Sequence, residues 1–240
     1  MITARANRRP SILSDSRILI GRSARHIIRS PDALLISFVL PVLQLLLFVY
    51  LFGGAIATDT DYVNYVTPGI ILVAAGFGAA LTATAVNADL TEGLMDRLLS
   101  MPIHAWAAVT GHVVTSMARN LLGTALTVGV AFAIGFQPTA GIWAWVAAVG
   151  ILSLFVLAIT WISVILGLIA RSVEAASGLA FFIAFLPFLS GAFVPTETIA
   201  VGWLRAVAEH QPVTPIIETA RGLLLGTPIG NGAWVSVGWC

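Results

Sequence analysis

NLLGTALTVGVAFAIGFQPTAGIWAWVAAVGILSLFVLAITWISVILGLIA, Asn120 to Ala170, is a run of 51 residues without one Asp, Glu, Lys or Arg. A hydrocarbon core of about 30 Å takes about 20 helical residues, so this run is long enough to cross a bilayer twice. Gly135-Phe136-Gln137-Pro138-Thr139-Ala140-Gly141 near its middle is a turn signal. The stretch therefore reads as two transmembrane helices joined by a tight loop, over about 107–135 and 142–170. The fold class that follows is an all-α, polytopic transmembrane helical bundle.

Composition agrees. Hydrophobic residues make up 58% of the chain and charged residues 10%, against about 25% charged in an ordinary soluble domain. The net charge of +1 hides an asymmetry: all 12 basic residues are Arg, and seven of them (Arg5, Arg8, Arg9, Arg17, Arg22, Arg25, Arg29) precede the first apolar stretch. The single cysteine, Cys240, permits neither an intrachain disulfide nor a cysteine metal cluster. No cleavable signal peptide is expected, because the first apolar stretch begins near Ala33 and is too long for a signal-peptide core.

Working outward, the first span is expected over about 33–57 and the second over 62–88, separated by Thr58-Asp59-Thr60-Asp61. That loop carries acids and no Arg, whereas the segment before it is rich in Arg, so the positive-inside rule puts the N-terminus in the cytoplasm. Alternation then puts Arg97 and Arg171 in cytoplasmic loops and leaves the 135–141 loop outside. A fifth span is expected over about 175–194, bent by Pro187. After it, Trp203, Leu204, Val207 and Ala208 share one helical face, and Ile216, Ile217, Ala220, Leu223 and Leu224 share another, with Pro212 and Pro215 between. These are expected to be two outer amphipathic helices within about 196–229, lying in the interface or dipping into the bilayer against the bundle. Asn231 to Cys240 make only about 15 Å of helix, an incomplete sixth span, and the expectation is that the sequence is truncated there. The chain thus divides into a cytoplasmic N-terminal segment, 1–32, and a transmembrane domain, 33–240.

Much chemistry is excluded. A Walker loop needs a lysine to reach the phosphates, and the sequence has none. The four histidines, His26, His104, His112 and His210, lack the spacing of a helical zinc site, and no acid pair lies inside a span. No catalytic residue, metal ligand or cofactor site is therefore expected, nor any nucleic-acid partner. The exceptions to the bare interiors are His112 and Arg119, seven apart on one face of the third helix. Either they belong to a polar substrate path, or the helix starts near Ala105 and Arg119 snorkels to the headgroups. The alternatives from other classes are an ion-coupled secondary transporter and a polytopic membrane enzyme. The first should show repeats and midplane polar groups, the second clustered His, Asp or Glu at the membrane face.

Three features occur in order. Before the first span, Ile18, Leu19, Arg22, Arg25, His26 and Arg29 form an interface helix with apolar and cationic stripes, suited to an anionic leaflet and equally to a topogenic signal. After the second span, Asp89, Glu92 and Asp96 share one side of a helical stretch and Leu90, Leu94, Leu98 and Met101 the other, with Pro102 stopping it. Either this is a solvated loop or it is a docking surface. Before the sixth span comes the amphipathic pair, in which Glu218 and Arg221 are either an extracellular gate latch or an ordinary exposed pair.

Tyr65-Val66-Thr67-Pro68-Gly69, Glu92-Gly93 through Arg97-Leu98-Leu99-Ser100-Met101-Pro102-Ile103, and Gln211-Pro212-Val213-Thr214 followed by Ala220-Arg221-Gly222 resemble, in that order, strings in the permease subunits of type-2 ABC exporters. The resemblance is to the actinobacterial daunorubicin-resistance-like branch and covers essentially the whole chain. It implies a six-span permease, a second permease subunit (identical or paralogous), and cytoplasmic ATPase subunits that bind ATP and Mg. It further implies coupling through Asp89, Glu92, Gly93, Asp96, Arg97, Met101 and Pro102 with the N-terminal interface helix, and export of a hydrophobic or amphipathic drug, lipid or glycan precursor across the plasma membrane. His112, Arg119, Glu218 and Arg221 are the candidate path or gate residues.

Overall fold

The computed structural model describes residues 35–56, 58, 60–93 and 105–240. The stretch carrying Arg22, Arg25 and Arg29, and the loop residues Asp96, Arg97, Met101 and Pro102, lie outside the described residues. Among the described residues all regular structure is helical. Helix α1 runs over 35–52, an α-helical Leu40–Leu47 flanked by π-helical Leu35–Val39 and Phe48–Phe52. Helix α2 is Tyr62–Thr91, α3 Ala105–Ala133 and α4 Ile142–Ile169. Helix α5, Val173–Phe185, tightens into a 3-10 turn at Leu186–Leu189. After a short 3-10 turn at Thr196–Thr198 come α6 (Gly202–His210), α7 (Val213–Leu225) and α8 (Gly232–Trp239).

Helices α2, α3 and α4 are each long and apolar enough to cross a membrane. The fifth helical stretch differs from expectation. Instead of bending at Pro187 and continuing to 194, it leaves helical geometry at Ser190, because proline lacks the N–H that would bond four residues back and Gly191 follows soon after.

Helix α2 is the axis of the bundle. Its residues from Tyr62 to Gly76 are buried on every side except at Tyr65, and it packs against α1, α3, α4, α5 and α7. A helix that is apolar all round belongs in such a position. Its approach to α5 needs small residues: a Cβ on Gly76 would lie 2.9 Å from Ala184 Cα, and Ala180 and Ala184 are sealed in the contact. Close backbone approach of this kind is how helices associate where lipid removes the hydrophobic drive. The outer faces remain apolar, with Leu122 and Leu126 on α3, Ile162 and Ile165 on α4 and Phe181 and Phe182 on α5 exposed, a surface that suits acyl chains and not water.

Two asparagines tie the ends of α2 to its neighbours. The last carbonyls of a helix have no partner within it, and Asn87 Nδ2 donates to two of those ending α4, Gly167 O at 2.9 Å and Ala170 O at 2.7 Å. At the opposite end Asn64 Oδ1 accepts from the Gln137 amide at 2.9 Å, holding the α3–α4 loop.

The amphipathic pair behaves differently in its two halves. Helix α7 lies against α2, α4 and α8, burying Ile216, Ile217, Ala220 and Leu224. Helix α6 keeps Trp203 and Val207 exposed and buries Ala208, an arrangement suited to a membrane interface.

Candidate functional site

Residues 190–193, between the 3-10 turn and α6, are buried without being helical. Backbone in that state must find partners in the protein if it lies in or beside a bilayer. The partners come from the first turns of α2 and from α7. Tyr65 Oη donates to Gly191 O at 2.9 Å and Tyr62 Oη to Phe193 O at 3.0 Å. Arg221 lays its guanidinium over the Tyr65 ring, 3.7 Å from the centroid. It donates through one terminal nitrogen to the same Gly191 O at 2.8 Å and through Nε to Tyr65 O at 3.1 Å. Phe193 stacks on Phe48 of α1, with centroids 4.2 Å apart, closing the other side. One arginine fork therefore clamps α7, α2 and the 190–193 segment together, with a cation–π contact added to two charge-assisted hydrogen bonds.

This corrects the expected role of the Glu218–Arg221 pair. The hydrogen bonds of Arg221 go to backbone carbonyls and not to Glu218, so the arginine points into the bundle. Partial burial is the largest influence on the Glu218 carboxyl and raises its pKa, with Arg221 pulling it back down and Glu209 pushing it up. Nearby on α6, Arg205 and Glu209 form an exposed i,i+4 pair at 2.7 Å.

Arg119 also turns inward. It sits midway along α3, 6% exposed, and one terminal nitrogen reaches Gly78 O of α2 at 2.5 Å, Thr82 Oγ1 at 3.1 Å and Ser116 Oγ at 3.5 Å. Its Nε has no partner. Snorkelling to headgroups is therefore not what this side chain does. Gly78 makes the approach feasible, because a Cβ there would run into the Asn120 amide. Thr82 Oγ1 and Ser116 Oγ, 2.8 Å apart, extend the polar strip toward Thr160. With Nε left without a partner and one terminal nitrogen alone engaged by neutral oxygens, the buried charge of Arg119 costs more than it returns, and an Arg at the bilayer centre costs about 2.5–3.5 kcal/mol on insertion scales. Arg119→Met is therefore expected to leave the thermal midpoint unchanged or raised in detergent. A fall of more than about 5 °C, or about 2 kcal/mol for a chain this size, would mean that the three hydrogen bonds outweigh the buried charge.

His112 is not joined to Arg119 in one site. Its Nε2 lies 3.0 Å from Asp89 Oδ2 on the last turns of α2. Asp89 thus belongs to the spanning helix itself. The helix expected to run on from Asp89 to Met101 is interrupted: α2 ends at Thr91, and Gly93 takes a left-handed φ of +69°, the usual way a helix stops. Glu92 is exposed at that break. Among the described residues no group of three or more His, Cys, Asp or Glu could hold a metal ion.

The sequence profile of the ABC-2 type transporter family matches residues 15–225. The chain is 31% identical over 199 residues to the daunorubicin resistance ABC transporter permease protein DrrB1 of Streptomyces coeruleorubidus, covering 82% of this chain and 70% of that protein. It is 24% identical over 195 residues to the probable doxorubicin resistance ABC transporter permease protein DrrC of Mycobacterium tuberculosis, covering 80% and 70%. The chain belongs to the ABC-2 type transporter family.

As an ABC-2 type permease it is a multi-pass membrane protein, and the first and last of its three short strings acquire positions in space. Tyr65 of the first string and Arg221 of the last stack on each other. Gly69, closing the first string, abuts Ala192. The Gln211-Pro212 string forms the corner between α6 and α7, where Thr214 Oγ1 donates to Ala208 O at 2.5 Å. The asparagines at the ends of α2 and the inward face of Arg221 were not visible in the sequence. Their only signal is polarity at the ends of an otherwise apolar helix.

Proposed function

We propose that this permease is the membrane-spanning subunit of an ATP-driven exporter for a hydrophobic or amphipathic cargo. The observation that carries the reading is the family match along most of the chain, together with relatives whose names are those of drug-resistance permeases. The N-terminus and the 92–104 end of the bundle lie in the cytoplasm, supported by nine of the twelve arginines falling on that side. The end carrying 190–193, α6 and α7 faces out of the cell across the plasma membrane.

A separate ATPase subunit binds ATP and Mg, and a second permease copy or a paralogue completes the pathway. The ATPase docks on Glu92, Gly93, Asp96, Arg97, Met101 and Pro102 together with the Arg22, Arg25 and Arg29 stripe. Asp89, paired to His112, joins that surface to the end of α2. At the far end the Arg221–Tyr65 clamp holds the outer gate closed until the bundle moves.

Charge reversal at the loop tests this. Glu92→Arg and Arg97→Glu are each expected to cut co-purification of the cognate ATPase by about tenfold, about 1.4 kcal/mol, and to abolish ATP-dependent export from vesicles, while membrane insertion stays normal. If well-folded wild-type permease binds no ATPase at all, the exporter reading is wrong.

A further inference from the structure

Next to the α3–α4 loop the bundle carries a groove of about 560 Å³ that opens sideways between α3 and α4. Its floor is Ile71 of α2 and Leu224 from the last turn of α7, each 1% exposed. At its upper rim Phe132 and Trp145 stack with centroids 6.1 Å apart. Its deep end is marked by Leu121 and Leu152.

We propose that this groove holds one acyl chain of a membrane phospholipid, taken from the leaflet at the 134–141 end. Three observations point to that occupant. The groove follows α3 from Phe132 down to Leu121, about 16 Å at 1.5 Å per residue, which matches the half-thickness of about 15 Å in a core of about 30 Å. It starts at the helix ends, beside the exposed Ile142 and Trp143 that open α4, where an aromatic residue marks the headgroup level. And it is continuous with the lipid-facing surface of α3 and α4, where Leu122, Leu126 and Val146 are exposed.

The lining chemistry separates a chain from a structured cargo. Drug-sized ligands rely on a few precisely placed polar groups to fix their orientation, and here the lining offers only the Thr124 hydroxyl and the indole N–H of Trp145 at the rim. An acyl chain needs none. The volume lies within the usual range for a bound small molecule, about 300–1,000 Å³. Because Leu224 forms part of the floor, a bound chain joins α7 to α2, α3 and α4. The inference rests on the membrane location of the permease and not on what it exports.

The test uses full-length permease reconstituted with palmitoyl-oleoyl phosphatidylcholine, extracted in mild detergent, delipidated by repeated gel filtration and weighed by native mass spectrometry. One phospholipid per permease chain is expected to survive in the wild type. Gly129→Phe, whose new Cβ meets open space, and the smaller Ala125→Leu are each expected to fill the groove and reduce the retained lipid about tenfold. Unchanged helical circular dichroism shows that each variant is folded, and Ala125→Leu decides the matter if the bulkier variant is not. In parallel, a phosphatidylcholine brominated on one acyl chain is expected to quench wild-type tryptophan fluorescence after delipidation, and to lose that effect in the variants. Wild type that retains no lipid, or folded variants that retain as much as wild type, overturns the proposal. So does a lipid-free wild type that dimerises through this face while the variants stay monomeric, since the occupant is then a second copy.

Discussion

Arg221→Ala is expected to undock α7 and lower the thermal midpoint of the purified permease by roughly 6–12 °C. The substitution removes two hydrogen bonds from a charged donor and a stacked cation–π contact, together about 3 kcal/mol, which converts to that midpoint shift in a chain of this size. Gly191 O would keep the Tyr65 hydroxyl, so the loop does not lose every partner. Arg221→Lys should recover only part of the loss, because an ammonium cannot span two carbonyls and stack on a ring at once. Tyr65→Phe keeps the ring and should cost about 1 kcal/mol. Combining it with Arg221→Ala should cost more than the sum of the two, because only the double variant leaves Gly191 O without either side-chain donor. Glu218→Gln serves as the control. If it matches Arg221→Ala, then an ion pair holds α7 and the inward clamp does not.

Gly69→Val should be at least as damaging, for a reason of space. A Cβ at Gly69 would lie 2.7 Å from Ala192 Cβ, 2.8 Å from Ala192 O and 2.9 Å from Ala192 Cα. Two of those three atoms are backbone, which cannot rotate away, so α2 and the 190–193 segment must separate. Overpacking a well-packed core costs about 1–3 kcal/mol, occasionally more, and here it also pulls Tyr65 from Gly191. The expected result is a sharp loss of monodisperse protein on fluorescence-detected gel filtration. Gly69→Ala should show the same direction more weakly, and Ala192→Gly should partly rescue it by removing the nearest of the three contacts. Wild-type yield and midpoint for Gly69→Val would mean that the close approach is not required.

What the sequence made legible follows from what lipid demands. A helix in hydrocarbon must be long and uncharged, so α2, α3 and α4 stand out as bare runs, and the acidic loop and the Gly-Pro turn between them stand out as breaks. The partners of individual residues were hidden for the same reason. Where every face of a helix is apolar, periodicity has no contrast with which to tell a neighbour's side from the lipid side. Arg221 was paired with Glu218 because three residues is the reach visible along a helix. Its actual partner, Tyr65, is 156 positions away. Arg119 was read from its cost in a membrane, which says that it must find oxygen atoms but not whether they belong to headgroups or to Gly78 and Thr82. Asp89 was grouped with Glu92 by spacing, and α2 ends between them at Thr91, so that Asp89 belongs to the helix and Glu92 to its break. The expected bend at Pro187 underestimated the residue: with Gly191 soon after it, the helix ends and creates the buried carbonyls that Tyr62, Tyr65 and Arg221 answer.

Pinned by Asn64 at one end and Asn87 at the other, the 30-residue α2 is one continuous helix about 45 Å long, carried through Pro68 near its Asn64 end. A rod of that length is a lever. A rotation of about 5° about one end carries the other about 4 Å, taking the length from the helical rise, whereas a hydrogen bond is lost once its atoms part by more than about 3.5 Å. The Arg221 fork sits at 2.8 and 3.1 Å from its two carbonyls, so it tolerates well under 1 Å of that travel. Any tilt imparted where α2 meets the Glu92 break is therefore amplified at the 190–193 segment, and the clamp there will register rotations too small to disturb the packing along the shaft.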